Sequence, residues 1–454
     1  MKKIIDVSAT LFATVAFSVN ATQVFDLEGF GAISRSMGGT SAAYYTGNAA
    51  LISNPATLAF APEGQQLELG LDLVTTDINS TNSDREIANS QTTSNNRGPY
   101  YAPQISFVTQ YQDWRFGVGL YANGGLGTEF GSDSFLSRTE NGTQTSFENS
   151  SRLLVLRVPF GFSYQFSPEL TFGASVDMVW TALNLELLLP ASQVGALAMN
   201  NDLSGSLVSP LAGFIGGTGA AHFSLSKNDP VGGGVDAVGL AGRVGMTYRL
   251  SAQTMLGASY NFETSVGDLT GNATLTAIDG SANTLPLNGD IRFRDFEMPA
   301  SLTVGASHQF NERLLLTIDL RRTFWSDVFS SIQVGFTSAA GNIAINLPQN
   351  YQDITVYAVG AAYQYNDKLT LRSGFSYAEQ AQDINLLFPV IPAYLKRHLT
   401  VGGEYRLDSG SAFNFALSFG LKETLQTPSY MAGNEFLTQS HSQVNAVFSY
   451  THQF

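Results

Sequence analysis

The sequence lacks cysteine and is poor in charged residues. None of its 454 residues is Cys, and Asp, Glu, Lys and Arg together make up 13%, against about 25% in an average soluble domain. The absence of Cys excludes disulfides, thiolate metal sites and a Cys nucleophile. After the N-terminal region, no run of about 20 apolar residues occurs, as a transmembrane helix requires. The net charge of −14 argues against nucleic acid as a partner.

The first 21 residues have the pattern of a secretory signal peptide. Lys2 and Lys3 precede a mostly apolar stretch, and Val19-Asn20-Ala21 places small residues at the cleavage site. A membrane-anchoring helix is the alternative, but the apolar stretch is shorter than the roughly 20 residues that spanning requires. We therefore expect residues 1–21 to be removed on export to the cell envelope.

Most of the remaining chain alternates between apolar and polar residues with a period of two, which is typical of β-strands. Residues 156–166 are one example. Short polar turns alternate with long connections near residues 79–101, 127–150, 188–235, 273–294, 336–350, 379–396 and 422–438. This pattern predicts an all-β fold, a 14-stranded antiparallel outer-membrane β-barrel over residues 65–454. A soluble β-sandwich or β-helix is the alternative, but it does not explain the alternating loop lengths.

Residues 22–64 do not alternate. The stretch from Gly29 to Phe60 is rich in Gly, Ala and Ser and nearly uncharged. It is too apolar for a solvated tail, which predicts a plug inside the barrel, here called the hatch. A periplasmic extension is the alternative. Phe25 and Leu27 lie close to the expected mature N-terminus, and we expect this apolar end to enter a ligand pocket rather than to fray.

Several stretches resemble the FadL family of outer-membrane transporters for long-chain fatty acids and other hydrophobic compounds. Asn54-Pro55-Ala56 is similar to the family's hatch motif, and Phe116 to Phe130 is similar to its third strand. Trp325-Ser326, after a strand ending in Arg321-Arg322, adds to the likeness. The resemblance implies a monomeric 14-stranded barrel with an N-terminal hatch. It further implies that extracellular loops capture an apolar ligand, which passes to an inner pocket and leaves laterally through a gap at the kinked third strand.

Two regions supply candidate residues for that route. Asn123-Gly124-Gly125 interrupts the third strand, and Gly permits the bulge or kink that a lateral opening needs; the start of a loop is the alternative. The long connection at 188–235 is unusually apolar for an external loop, which favours contact with a hydrophobic ligand through Leu197, Phe214 and Ile215. Packing of this loop on its neighbours is the alternative, and both can hold together.

The strand parity places several charged residues on the lumen side if the apolar parity faces lipid. These residues are Arg157, Asp177, Arg243, Asp319, Arg321, Arg372 and Glu404. We expect most of them to form an ion-pair network that holds the hatch. Arg157 is also the candidate for binding a ligand carboxylate, because a guanidinium pairs with a carboxylate through two parallel hydrogen bonds.

No catalytic or metal-binding constellation is present. The five His residues are scattered, and HExxH, GxSxG and P-loop motifs do not occur. Together with the resemblance to the FadL family, which implies a passive transporter, this absence predicts a protein without a cofactor that is not an enzyme. Outer-membrane lipid and lipopolysaccharide are the expected surroundings, and Phe454 is the expected handle for the barrel-assembly machinery. The alternative is a diffusion porin, either general or specific for aromatic hydrocarbons or alkanes.

Overall fold

The computed structural model of the protein describes residues 24–83, 91–94, 100–225, 234–386, 388–428 and 436–454. The predicted signal peptide lies outside these ranges. The helices are α1 (Gly31–Ser36), α2 (Ala191–Met199), α3 (Val208–Ile215) and α4 (Trp325–Val328), and short 3-10 turns cover Ala49–Ile52, Pro55–Phe60, Phe135–Ser137 and Ile384–Leu386. No helix in the described ranges is long and apolar enough to cross a bilayer.

The strands of the described residues run along almost the whole chain. They are β1 (Gln65–Val74), β2 (Asp77–Asn82), β3 (Gln91–Ser94), β4 (Tyr100–Tyr111), β5 (Trp114–Gly131), β6 (Asn149–Gln165), β7 (Leu170–Pro190), β8 (Leu203–Ser204), β9 (Ala220–Leu225), β10 (Val235–Arg249), β11 (Thr254–Asn261) and β12 (Ser265–Val266). The second half of the chain adds β13 (Leu269–Ile278), β14 (Thr284–Arg294), β15 (Ser301–Asn311), β16 (Leu314–Thr323), β17 (Ser331–Ser338), β18 (Gly341–Pro348), β19 (Ile354–Gln364), β20 (Leu369–Ala378), β21 (Arg397–Arg406), β22 (Ala412–Pro428) and β23 (Phe436–Gln453).

These strands form a single antiparallel sheet that closes on itself. β1 pairs with β4 on one side and with β23 on the other, from Gln66 opposite Gln453 to Val74 opposite Asn445. The first and last long strands of the chain therefore complete the barrel wall, and neither leaves a free edge at this seam. Closure matters in a bilayer because an unpaired backbone group has no water to bind there.

The predicted count of 14 strands is wrong, since the described residues contain 23 strand segments in the one sheet. The error arises in the long connections, which the sequence analysis treats as loops. Regions 273–294 and 336–350 instead continue the pairing as the hairpins β13–β14 and β17–β18. Region 188–235 contributes β8 and β9, and region 79–101 contributes β2 and β3. The apolar alternation continues into these hairpins, as Leu285, Leu287, Ile291 and Phe293 of β14 show, so the length of a connection did not distinguish a loop from a paired extension.

The apolar parity of the strands faces outwards. Phe160, Met178 and Leu240 are exposed, whereas the intervening Arg157 and Asp177 are buried. An apolar outer surface is stable next to lipid chains and costly next to water. The orientation predicted from the alternation is thus the one that the structure has.

Residues 24–61 contain no strand and contact strands on different sides of the wall. The side-chain amide of Asn54 donates to the Met246 carbonyl of β10, and the amide of Gly38 donates to the Thr400 hydroxyl of β21 at 2.9 Å. A Cβ added to Gly360 of β19 would lie 2.6 Å from the Met37 carbonyl oxygen. Glycine at that position lets the N-terminal segment approach the wall backbone closely.

Candidate ligand cavity and wall opening

An apolar cavity lies between the start of β6, the end of β7 and the residues around α4. Its open volume is about 50 Å3, so the cavity as it stands is nearly filled by its own lining. Its lining is mostly aromatic and aliphatic: Phe25, Ser151, Leu153, Leu183, Leu185, Leu187, Phe293, Phe296, Phe329, Ile332, Leu347, Gln349, Tyr351, Phe388 and Ile391. None of these lining residues is charged, so the cavity suits an uncharged hydrophobic molecule.

The ring of Phe25 lines this cavity and is almost fully buried. It packs edge-on against Trp325 and Phe329, with ring centroids 5.6 Å apart in both pairs, and lies 6.3 Å from Tyr351. Such aromatic contacts contribute roughly 0.5–1.5 kcal/mol each beyond the area they bury. The N-terminal segment is therefore anchored in the cavity by one side chain.

The loop after β20 covers the outer side of the cavity. Its Val390 carbonyl accepts a hydrogen bond of 3.0 Å from the Thr128 hydroxyl and another from the Ser151 hydroxyl. A second apolar cavity lies beyond it, lined by Phe135, Leu136, Leu188, Pro190 and Leu437 among others. Leu187 and Phe388 line both cavities, so together the two cavities extend from the external loops towards Phe25.

Asn123, Gly124 and Gly125 lie within β5, and the alternative of a loop start is wrong because the strand continues to Gly131. The register against β6 shifts between Ala122 and Gly124, which marks a β-bulge. The N-terminal segment meets β5 at this bulge. The Gly125 amide donates to the Phe25 carbonyl at 2.9 Å, and the Asn123 side chain donates to the Asp26 carboxylate at 3.2 Å.

The wall between β4 and β5 is incompletely paired in the described residues. The β4–β5 ladder ends at Ile105 opposite Leu120. Above that pair, β5 stays bonded to β6, and the upper part of β4 stays bonded to β1. Higher up, the Glu129 amide donates to the Ser94 hydroxyl of β3 at 2.7 Å. We call this gap, from Leu120 to Glu129, the wall opening.

A polar cavity is lined by Asp26, the residue that follows Phe25 in the chain. Asn123, Arg157, Arg243 and Arg321 also line it, together with Asn261. Burial raises the pKa of the Asp26 carboxyl, although the nearby arginines act in the opposite direction. The segment therefore places an apolar ring and a carboxylate in two adjacent cavities of opposite character.

The predicted lumen charges are brought together in three groups. Arg157 and Arg243 approach Asp177 at 3.4 and 3.7 Å and both donate to the Asn261 side chain at 2.8 Å. The Asp319 carboxylate accepts from the Ser41 and Ala42 amides at 2.6 and 2.9 Å. Arg372 and Glu404 pair at 2.7 Å. Arg321 lines the polar cavity. Two of these groups contact the N-terminal segment, as Arg243 also donates to the Leu51 carbonyl at 3.2 Å.

The remaining predicted site residues do not line the apolar cavities. Asn54 caps the turn Pro55–Phe60 by accepting from the Ala56 amide at 3.1 Å. Leu27 is partly buried and lies outside the apolar cavity lining. Ile215 is buried and Phe214 packs against the same apolar cluster, whereas Leu197 is partly exposed on α2. None of these three loop residues lines either apolar cavity.

Sequence reasoning missed the most deeply buried ion pairs. Arg35 on α1 lies 2.6 Å from Asp72 of β1 and 3.4 Å from Glu28, and its side chain has no exposed area. Burial opposes ionisation of Glu28, but Arg35 and other partners outweigh it and lower the pKa of the carboxyl to about 2. The one feature of the sequence that could have indicated them is that Arg35 is the single charged residue from Gly29 to Phe60.

The aromatic partners of Phe25 were missed as well, except that Trp325 belongs to a stretch of family resemblance. Trp325 and Phe329 are fully or almost fully buried, and Tyr351 joins them from the segment before β19. These residues lie outside the alternating strands, so periodicity says nothing about them. In the described part of the chain, no group of three or more His, Asp or Glu side chains could hold a metal ion.

Comparison with known proteins agrees with this architecture. A family model described as outer membrane protein transport protein (OMPP1/FadL/TodX) matches residues 9–452. The chain belongs to this family. The resemblance inferred from the sequence is therefore confirmed, and with it the outer-membrane location and the role in transport that the family description states.

Individual relatives are named for different ligands. The crystal structure of the Pseudomonas putida toluene transporter TodX is 61% identical, with a TM-score of 0.86, and the match covers 94% of this chain and 99% of that chain. The long-chain fatty acid transport protein of Salmonella typhi is 21% identical over 331 residues, covering 70% of this chain and 69% of that protein. Outer membrane protein P1 of Haemophilus influenzae is 22% identical over 309 residues, which cover 67% of this chain but only 62% of that protein's length.

Proposed function

We propose that the protein carries uncharged hydrophobic molecules of the size of a single aromatic ring across the outer membrane by passive transport. The observation that supports this best is the lining of the apolar cavity, which is aromatic and aliphatic without a charged side chain. The likeness to the toluene transporter at 61% identity supports the same ligand class. A monoaromatic hydrocarbon such as toluene is the proposed substrate.

Long-chain fatty acids are the second candidate. Arg157 lines the polar cavity next to Phe25, and the likeness to a fatty acid transport protein is consistent with a carboxylate ligand. A carboxylate in the apolar cavity itself would have no cationic partner among the lining residues, which makes its burial costly. The lining therefore favours a hydrocarbon over a fatty acid.

The route that we propose starts in the outer apolar cavity and passes between Leu187 and Phe388 into the inner one. Residues 22–64 act as the hatch. Withdrawal of Phe25 then connects the inner cavity with the wall opening beside Asn123-Gly124-Gly125, and the ligand leaves laterally into the lipid. The hydrogen bond from Gly125 to Phe25 supports this step, because the same residue lines the cavity and is bonded to the kinked strand.

The protein acts as a monomer without catalytic activity in this proposal. The outward apolar surface is surrounded by outer-membrane lipid and lipopolysaccharide. Phe454 is exposed, and its amide donates to the Gln65 carbonyl at 3.0 Å at the seam of the barrel. Such a position is accessible to the barrel-assembly machinery.

Uptake into cells that produce the protein tests the proposed substrate. We expect radiolabelled toluene to enter faster than in cells with an empty vector, labelled oleate to enter at the background rate, and lactose to remain excluded. Oleate uptake equal to that of toluene would favour the fatty acid transporter. Entry of lactose would favour a general porin, and the absence of any toluene effect would refute the proposal.

A further inference from the structure

The wall opening has a second closing element besides the N-terminal segment. Phe25 covers it from the inside at Gly124 and Gly125. Further along β5, the hydroxyl of Tyr100 lies against Gly127, in the space where a Cβ would stand, and its Cε1 atom is 3.0 Å from that point. The side chain that crosses the opening thus comes from the neighbouring strand and not from the hatch.

The position of Tyr100 in the wall explains why its ring can cross the gap. It is the first residue of β4 and pairs with Val74 of β1, so its backbone is held from the side away from β5. On the β5 side, the described part of β4 makes no ladder contact above Ile105. The ring therefore lies where backbone pairing between the two strands is missing.

Gly127 completes this arrangement. A side chain at this position would overlap the Tyr100 hydroxyl, so glycine at this position leaves room for the hydroxyl end of the ring beside β5. The Tyr101 side chain, one residue along β4, has the opposite parity and is 67% exposed on the outer surface. Only one of the two adjacent tyrosines therefore covers the opening.

We propose that Tyr100 is a shutter that sets the largest hydrocarbon able to leave through the wall opening. This inference rests on the lateral route of the proposed function and adds a specificity-determining residue to it. With the ring in place, a small single-ring hydrocarbon passes beside it after Phe25 withdraws, whereas a fused two-ring hydrocarbon passes only when the ring rotates away. The expected effect of removing the ring is therefore on selectivity rather than on uptake alone.

The test compares the uptake of labelled toluene and labelled naphthalene. We expect Tyr100→Ala to raise the naphthalene-to-toluene uptake ratio several-fold. Tyr100→Phe keeps the ring and should leave the ratio unchanged, and so should the matched control Tyr101→Ala. Heat-modifiable electrophoretic mobility shows whether each variant is folded. A merely structural role of Tyr100 would lower both rates together and leave their ratio constant.

The absence of Cys from the chain allows a reversible version of this test. Tyr100→Cys introduces the only thiol, and a benzyl methanethiosulfonate reagent adds a phenyl ring to it. We expect the thiol form to show the raised ratio, the benzylated form to return towards the wild-type ratio, and reduction to raise it again. Gly127→Ala should shift the ratio in the wild-type background but have no further effect in Tyr100→Ala.

The outcomes separate the two proposals. If the wild-type protein takes up no toluene above background, the proposed function is wrong. The other outcome is that the wild type takes up toluene but the naphthalene-to-toluene ratio stays constant in folded Tyr100→Ala and does not respond to benzylation of Tyr100→Cys. In that case the proposed role of Tyr100 is wrong and the proposed function stands.

Discussion

The carbonyl oxygen of Phe25 accepts a hydrogen bond of 2.9 Å from the backbone amide of Gly125. The ring of the same residue lines the apolar cavity and packs against Trp325 and Phe329. The end of the N-terminal segment is therefore bonded to the kinked strand through its backbone and to the cavity through its side chain.

Phe25→Ala should loosen the N-terminal segment and weaken hydrocarbon binding. Truncating a buried Phe costs about 3–5 kcal/mol in protein cores, and here that cost falls on the seated conformation of the segment. We expect faster hydrogen–deuterium exchange in residues 24–30 and a lower affinity for toluene in titration calorimetry. Leu27→Ala is the control because Leu27 is nearby but outside the cavity lining. Equal effects of both variants would contradict the role of the Phe25 ring.

Arg35→Met should destabilise the protein strongly. The change leaves Asp72 and Glu28 buried without their cationic partner, and breaking a buried pair from one side costs about 3–5 kcal/mol. Unfolding by urea in lipid vesicles measures the loss. Arg322→Met is the matched control, since Arg322 pairs with Asp353 and Glu379 at 3.5 Å but is 42% exposed, and exposed pairs contribute about 0–1 kcal/mol. Similar losses for both variants would refute the prediction.

Lys396→Met should stabilise the protein at neutral pH. Burial lowers the pKa of Lys396 to about 8, although Glu423 at 3.9 Å acts in the opposite direction. Because the unfolded lysine keeps a pKa near 10.5, the unfolded state binds more protons between pH 8 and 10.5, and stability rises with pH there. We expect urea unfolding to show this rise for the wild type and not for the variant.

Arg397→Met is the control for Lys396→Met. Arg397 donates to the same Glu423 carboxylate at 2.9 Å, so its loss should lower stability at all pH values without removing the rise above pH 8. A wild-type stability that is flat from pH 8 to 10.5 would show that Lys396 titrates normally in the folded protein.

Asn54→Ala should weaken the second turn of the N-terminal segment. The Asn54 side chain accepts from the Ala56 amide at 3.1 Å and donates to the Ala42 carbonyl at 2.6 Å, and loss of such a cap costs about 0.5–2 kcal/mol. Gly245→Ala should act on the same contact, since its Cβ would overlap the Asn54 side-chain oxygen. The two changes should be less than additive in thermal unfolding. Gly335→Ala, with no atom near its Cβ position, should not interact with Asn54→Ala.

Alternation of side chains was sufficient to predict which residues face lipid and which face the lumen. Arg157 and Asp177, assigned inwards from parity alone, are buried and 3.4 Å apart. The prediction succeeds because a strand has a strict period of two and because charge on the lipid side is costly. The strand count failed because the long connections also contain alternating strands: Leu285, Leu287 and Ile291 share one parity of β14, within a connection that was expected to be a loop.

The candidate site was only partly predictable. Phe25 and Gly124 were assigned from composition and resemblance, and the structure brings them together. The aromatic residues around Phe25 come from turns far apart in sequence, such as those holding Phe329 and Tyr351. No local pattern indicates that such residues meet, because their contacts depend on how the loops fold over the barrel rather than on any strand period.

Because a single residue supplies both the ring in the cavity and the carbonyl bonded to Gly125, the proposed route implies that withdrawal of the ring and release of the kinked strand occur together. In such a mechanism, each opening event transfers one ligand molecule. Its rate should level off at high hydrocarbon concentration, as an enzyme's does, where a permanently open pore would continue to rise in proportion.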